Sequence, residues 1–99
     1  MGKKLKTPAM DTLMKGIVTL STVEEAYEFF EDLCTVGELE AMKQRFEVAA
    51  LLRKDTTYQV IEEVTGASSA TISRVNRALN YGNDGYDMII KKLEALEEA

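Results

Sequence analysis

Apolar residues recur three and four positions apart along most of this chain, a spacing that places side chains on one face of an α-helix. The first such segment is predicted over residues 11–20. A second begins after Ser21, where Glu24 completes a capping box. Its apolar face consists of Val23, Ala26, Tyr27 and Phe30. We find no alternating strand pattern and no internal repeat, so the sequence predicts helices alone.

Four more helices follow in the same way. The third begins after Thr35 and reaches about Lys54, and the fourth covers about residues 57–64 behind a capping box of Thr56 and Gln59. Ser68 is predicted to cap a fifth helix that extends to about Tyr81, and a sixth starts near residue 84. The core positions predicted for these four helices are, in chain order, Leu39, Met42, Phe46, Ala49 and Ala50; Ile61 and Val64; Ile72, Val75 and Leu79; and Met88, Ile89, Leu93 and Leu96.

The predicted fold is therefore all-α. We expect a flexible tail over residues 1–10 and a single helical domain over residues 11–99. Gly66 lies between the fourth and fifth helices, where a positive φ can turn the chain sharply. A short helix, a glycine turn and a longer helix form the outline of a helix-turn-helix, here over about residues 57–81.

The fifth helix has an outward side that suits the major groove of DNA. With its apolar residues facing inward, this side is small at its beginning and basic further along; it carries Ser68, Ser69, Ala70, Ser73, Arg74 and Arg77. A helix enters the groove only if its tip lacks bulk. Arginine can hold guanine O6 and N7 with two parallel hydrogen bonds, and a methyl group on Ala70 or Thr71 can contact thymine.

Composition narrows the choice of function. The chain has 99 residues, a net charge of −5, no histidine and one cysteine, Cys34. Without histidine the commonest general base and metal ligand are missing, so we expect no enzymatic activity and no metal site. Neither a membrane span nor a signal peptide is visible, and a cytoplasmic location is expected. The charged residues within 21–40 are all acidic, whereas those within 41–54 and 68–81 are mostly basic. A protein that is acidic overall can therefore still present a positive surface.

A second interpretation stays open at this point. Helix-turn-helix shapes also occur as packing units in domains that bind other proteins. Glu62 and Glu63 lie on the first helix of the motif, where they oppose contact with phosphates. The alternative is therefore a helical protein-interaction scaffold that does not bind DNA.

One long stretch resembles a known family. Residues 38–84, ELEAMKQRFEVAALLRKDTTYQVIEEVTGASSATISRVNRALNYGND, are similar to the Trp-repressor-like family, and most of all to its bacterial YerC/YecD branch. The segments DLCT at 32–35 and NYGNDGY at 80–86 share this resemblance, which covers about residues 11–93. It implies an intertwined homodimer that regulates transcription, as a repressor, by binding double-stranded DNA. Two-fold symmetry would place the reading heads roughly 34–36 Å apart and favour palindromic sites.

The resemblance also implies contact residues. The family's DNA contacts correspond to Ser68, Ser69, Ala70, Thr71, Ser73 and Arg74, with Thr57 and Gln59 as weaker candidates for phosphate contacts. We add Arg77 from its place on the outward side of the helix.

The co-repressor site is only partly matched. In Trp repressor, tryptophan lies between two arginines beside a glycine and a serine. Arg74 corresponds to one arginine, and Arg45 to the other unless a shift of one residue brings Gln44 there. The glycine is replaced by Val75 and the serine by Ala78. We therefore expect no tryptophan binding and no cofactor, while another small effector stays open.

Overall fold

Residues 5–98 are described by a computed structural model, and within them the chain forms α-helices and no strand. The helices are α1 (Pro8–Val18), α2 (Val23–Leu33), α3 (Val36–Arg53), α4 (Tyr58–Thr65), α5 (Ser69–Tyr81) and α6 (Gly85–Glu98). The prediction of an all-α fold is confirmed. None of the helices between residues 5 and 98 is long and apolar enough to cross a bilayer.

The chain divides into two compact units whose boundary falls between Val36 and Gly37, in the first turn of α3. The N-terminal unit holds α1 and α2, and neither helix buries a single side chain. The C-terminal unit holds the rest of α3 and the helices that follow it. The expected single domain over residues 11–99 stays a prediction.

Helix α1 begins three residues earlier than predicted. Thr7 is its N-cap and accepts a hydrogen bond from the backbone N–H of Met10 at 3.1 Å. Pro8 occupies the first helical position, where its fixed φ suits the helix and its missing N–H is not needed. The predicted tail over residues 1–10 is thus wrong for residues 8–10, which are helical; residues 1–4 lie outside the described part of the chain.

Two predicted caps are shifted by one residue. Thr22, not Ser21, caps α2 and accepts from the N–H of Glu25 at 3.0 Å. The returning carboxylate belongs to Glu25 and accepts from the backbone N–H of Ser21 at 2.9 Å. In the same way Thr57, not Thr56, caps α4, so Gln59 does not complete a capping box. Each shift occurs where two hydroxyl residues are adjacent, because either can take the extended backbone of an N-cap.

The core of the C-terminal unit lies between α3, the helix-turn-helix and α6. Phe46 on α3 and Tyr86 on α6 pack against it with their ring centroids 6.3 Å apart. Its fully or almost fully buried members are Val48, Ala49, Ile61, Ala67, Ile72, Val75 and Ile90. The inward positions predicted for α5 are confirmed, since Ile72 and Val75 are buried and Leu79 packs against them.

The core faces predicted for α4 and α6 need correction. Ile61 is buried, but Val64, three residues further along α4, is 61% exposed. Helix α6 has two neighbouring apolar faces, and the one that includes Ile90 enters the core. The residues predicted for this role, on the rest of the helix, are exposed: Met88, Ile89, Leu93 and Leu96.

Candidate nucleic-acid interface

The turn between α4 and α5 is held by backbone geometry and by one hydroxyl. Gly66 ends α4 with φ +74°, and its N–H donates to the carbonyl of Glu62 at 2.9 Å. The N–H of Ala67 donates to Oγ1 of Thr65 at 3.1 Å, and the Ala67 side chain is buried in the core. This glycine turn confirms the predicted helix-turn-helix outline and fixes the direction in which α5 leaves α4.

Ser68 caps α5, as the sequence predicts. Its Oγ accepts from the backbone N–H of Thr71 at 3.1 Å and donates to Oγ1 of Thr71 at 3.2 Å. The two hydroxyl groups therefore stabilise the first turn of the helix, and Thr71 is half-buried. A DNA contact by either residue would have to use the remaining lone pairs, the O–H of Thr71 or the Thr71 methyl group.

The outward side of α5 is separated cleanly from its inward side. Ile72 is 0% exposed and Val75 is 2% exposed, so one face of the helix is fixed in the core. The opposite side is open to solvent and carries the predicted contacts Ser69, Ala70, Ser73, Arg74 and Arg77. Small side chains come first along this side and the two guanidinium groups follow.

The weaker candidates lie at the beginning of α4. Thr57 and Gln59 are both exposed. Thr57 accepts from the N–H of Val60 at 3.3 Å, so its hydroxyl is occupied as an N-cap. Gln59 lies two residues further, in the first turn of α4.

Four residues correspond to the family's ligand site: Arg45, Arg74, Val75 and Ala78. Arg45 and Arg74 are both exposed. The neighbouring Gln44 is half-buried, and its Nε2 donates to the carbonyl of Thr65 at 3.2 Å. Val75 is a buried core residue, and Ala78 is exposed. A branched side chain thus fills the position where the family has a glycine.

Sequence reasoning missed Tyr81, at the end of α5. Its side chain is 86% exposed. Tyr81 comes four residues after Arg77 and seven after Arg74, so the three side chains form one stripe on the outward side. The same spacing rule that gives the inward face would have identified this residue. Among the described residues there is no cluster of three acidic, cysteine or histidine side chains that could hold a metal.

With this geometry established, comparison with known proteins decides the family. A family model described as Trp repressor protein matches residues 8–94. The chain belongs to the Trp repressor family. The resemblance found in residues 38–84 is thereby confirmed, and the family is one of DNA-binding regulators and not of enzymes.

Bacterial relatives within the Trp repressor family cover nearly the whole chain. The uncharacterized protein YerC of Bacillus subtilis (strain 168) is 50% identical over 94 residues, which is 95% of this chain and 90% of YerC. A TrpR-like protein from Eubacterium eligens ATCC 27750, of known crystal structure, is 57% identical with a TM-score of 0.88, over 91% of this chain and 93% of that one. A candidate Trp repressor from Staphylococcus aureus, also of known crystal structure, is 48% identical with a TM-score of 0.88, covering 91% and 90%.

Proposed function

We propose that this protein is a sequence-specific DNA-binding regulator of transcription that acts as a homodimer. We propose further that it represses transcription, which is the direction that the family indicates. The observation that carries the proposal is the outward side of α5. It joins small residues at the tip, Ser69 and Ala70, to exposed Arg74 and Arg77, directly opposite the buried Ile72 and Val75. A rigid helix with this surface fits the floor and walls of the major groove.

Charge supports a selective binder and not a general one. The net charge is −5, and Glu62 and Glu63 are exposed on α4. Nonspecific affinity for DNA comes from neutralising phosphates with basic side chains. A protein with this net charge must add affinity from base contacts and from two reading heads acting together to what its phosphate contacts supply.

The N-terminal unit supports the dimer. Its two helices bury no side chain, although they carry several large apolar ones. Val18, Val23 and Tyr27 are 82%, 68% and 65% exposed. Large apolar side chains left exposed on two short helices in this number are typical of an interface. A second copy of the chain is the partner that the family's intertwined dimer supplies.

The proposal is tested by selecting duplexes from a random library and titrating binding to the selected site with salt. Wild-type protein is expected to prefer a palindromic site and to lose affinity steeply as salt rises. Arg74→Ala removes one arginine from each of the two reading heads. It should weaken binding at least roughly 30-fold, the value of two bidentate pairs at about 1 kcal/mol each, and relax the base preference at the contacted position. Lys91→Ala on α6 removes the same charge away from α5 and serves as the control.

A selection that returns no preferred sequence, together with affinity that hardly responds to salt, would instead identify the helical protein-interaction scaffold. Calorimetry with tryptophan tests the ligand site separately. We expect no heat of binding, because Val75 occupies the space that an indole needs and Ala78 has no polar side-chain atom to offer the ligand.

A further inference from the structure

We infer that Gln44 is a positioning residue for α5. Its side-chain amide fixes the turn between α4 and α5 at one position along α3. This inference rests on the proposed function, because the helix that it positions is the one proposed to read DNA. Gln44 itself is placed in no DNA contact.

The bond joins two elements that are far apart in sequence. Gln44 is half-buried on α3, and its Nε2 donates to the backbone carbonyl of Thr65 at 3.2 Å. Thr65 is the last residue of α4. The final carbonyls of a helix have no partner within the helix, so this oxygen is free to accept from a neighbouring element. The amide of Gln44 thereby ties the end of α4 to the middle of α3.

A short series of hydrogen bonds carries this constraint to α5. Oγ1 of Thr65 donates to the carbonyl of Ile61 at 2.7 Å and accepts from the N–H of Ala67 at 3.1 Å. The next residue, Ser68, is the N-cap of α5. Only two residues therefore separate the carbonyl held by Gln44 from the cap of the helix. A displacement of Thr65 along α3 would move the tip of α5 with it.

Helix α3 is itself held in place by the core, so a bond to it can fix the position of the turn. One turn beyond Gln44, Val48 and Ala49 are 0% exposed in the core. The bond itself lies outside the core, beside an open cleft of about 210 Å³. The cleft is lined by Glu40, Ala41, Lys43, Gln44, Glu47 and Thr65. Because water reaches this cleft, loss of the bond exposes polar groups to solvent and leaves no buried group unsatisfied.

Removal of the Gln44 amide should distinguish a positioning role from a role in folding. Removing the amide should leave the core and the fold intact, but it should let the turn move relative to α3. DNA binding requires the N-terminal tip of α5 to keep a fixed position relative to α3. Removing the Gln44 amide is therefore expected to lower DNA affinity more than thermal stability.

The decisive variant is Gln44→Met, which keeps the length of the side chain and its neutral charge but removes the donor. Its matched control is Ala41→Met, which adds an equally apolar side chain to the same cleft and leaves the Gln44 bond in place. Three quantities are measured on the full chain: affinity for the selected duplex against salt, the melting temperature, and amide hydrogen exchange of Gly66 and Ala67.

For Gln44→Met we expect affinity to fall about 25-fold, which is about fivefold for the hydrogen bond lost in each of the two reading heads. The salt slope should not change, because no phosphate contact is lost. The amide of Ala67 should exchange faster, with the melting temperature lowered by no more than about 4–8 °C, the shift that the loss of one such hydrogen bond gives in a domain of this size. Ala41→Met should match wild type in all three measurements.

Two failures are distinguishable. If wild type binds its selected site and Gln44→Met binds equally well, with Ala67 exchange unchanged, the positioning role is overturned alone. A loss of affinity that only follows a large drop in melting temperature overturns it too. If wild type itself binds no duplex, the proposed function fails and the positioning role with it.

Discussion

Gly16 and Gly66 have equally empty surroundings, but their backbones differ. A Cβ added at either position would meet no atom within 4 Å. Gly66 has φ +74° at the end of α4, a conformation that side chains other than glycine rarely adopt, whereas Gly16 lies inside α1. The effect of alanine at the two sites is therefore decided by the backbone alone.

We expect the two alanine variants to change stability in opposite directions. Gly66→Ala should lower the free energy of unfolding by about 1–2 kcal/mol through left-handed strain. Gly16→Ala should raise it by about 1 kcal/mol, since alanine is the better helix former. Urea denaturation monitored by circular dichroism measures both. Changes of the same sign would contradict the assignment of either backbone.

At the scale of helices, sequence predicted the number and order of elements but not the register of every cap. The hydroxyl pairs Ser21–Thr22 and Thr56–Thr57 each offer two candidate N-caps one residue apart. Which residue becomes extended depends on how the preceding chain approaches the helix, and that is set by packing. Ser68–Ser69 is a third such pair, and there the predicted residue, Ser68, is the cap.

The cap of α2 has a consequence for pH. Glu25 accepts from the backbone N–H and the Oγ of Ser21, and these hydrogen bonds hold the pKa of its carboxyl below the ordinary value. A depressed pKa in the folded state means that the stabilisation is fully present above the ordinary carboxyl pKa, about 4.3, and is lost as pH falls through the lower folded value. Ser21→Ala should raise the Glu25 pKa part of the way, because the backbone donor remains. Carbon-detected NMR titration checks this, with Ser73→Ala as a variant that should leave the Glu25 titration unchanged.

The ion pair between Arg53 and Asp87 joins the last turn of α3 to the first turn of α6. Both side chains are about one-third exposed, at 34% and 31%. A double-mutant cycle with Arg53→Ala and Asp87→Ala cancels the separate effects of each charge on its helix end. We expect a coupling of about 0.5–1 kcal/mol that shrinks with salt.

The exposed pair of Lys43 with Glu40, which lies within α3, provides the comparison for that cycle. Its coupling should not exceed about 0.5 kcal/mol, the usual value for neighbours on one helix. If the two cycles give equal couplings, the link between α3 and α6 adds nothing beyond an ordinary surface pair.

For the whole molecule, sequence was sufficient for the fold class and the helix-turn-helix but not for the choice of core face on α4 and α6. Val64 is three residues from the buried Ile61, a spacing typical of a shared core face, yet it is exposed. Ile89 is also exposed, although the adjacent Ile90 is buried. Periodicity locates an apolar stripe to within about one residue, and only the neighbouring helices select which edge of it is buried. The outward side of α5 was predicted well, because small and basic residues leave no competing face, although Tyr81 was overlooked.

The proposed dimer gives a prediction about concentration. If a second copy covers the apolar residues of α1 and α2, the melting temperature should rise with protein concentration. Val18→Lys should dissociate the dimer in sedimentation equilibrium, because it places a charge in an apolar interface. Thr12→Lys adds the same charge on the opposite face of α1 and should leave assembly unchanged. A single chain that sediments as a monomer at every concentration would disprove the dimer.

Asp55 and Asp84 both have positive φ, at 59° and 63°, and both are exposed. Residues 56–83, which contain the entire helix-turn-helix, lie between these two residues. The segment is therefore bounded at each end by an exposed turn. Exchange of this segment as a cassette would need to retain its buried side chains, such as Ile61 and Ile72, and the glycine turn at Gly66. Under the proposed function, the segment that reads DNA could thus change its outward residues while the helices that carry it stay the same.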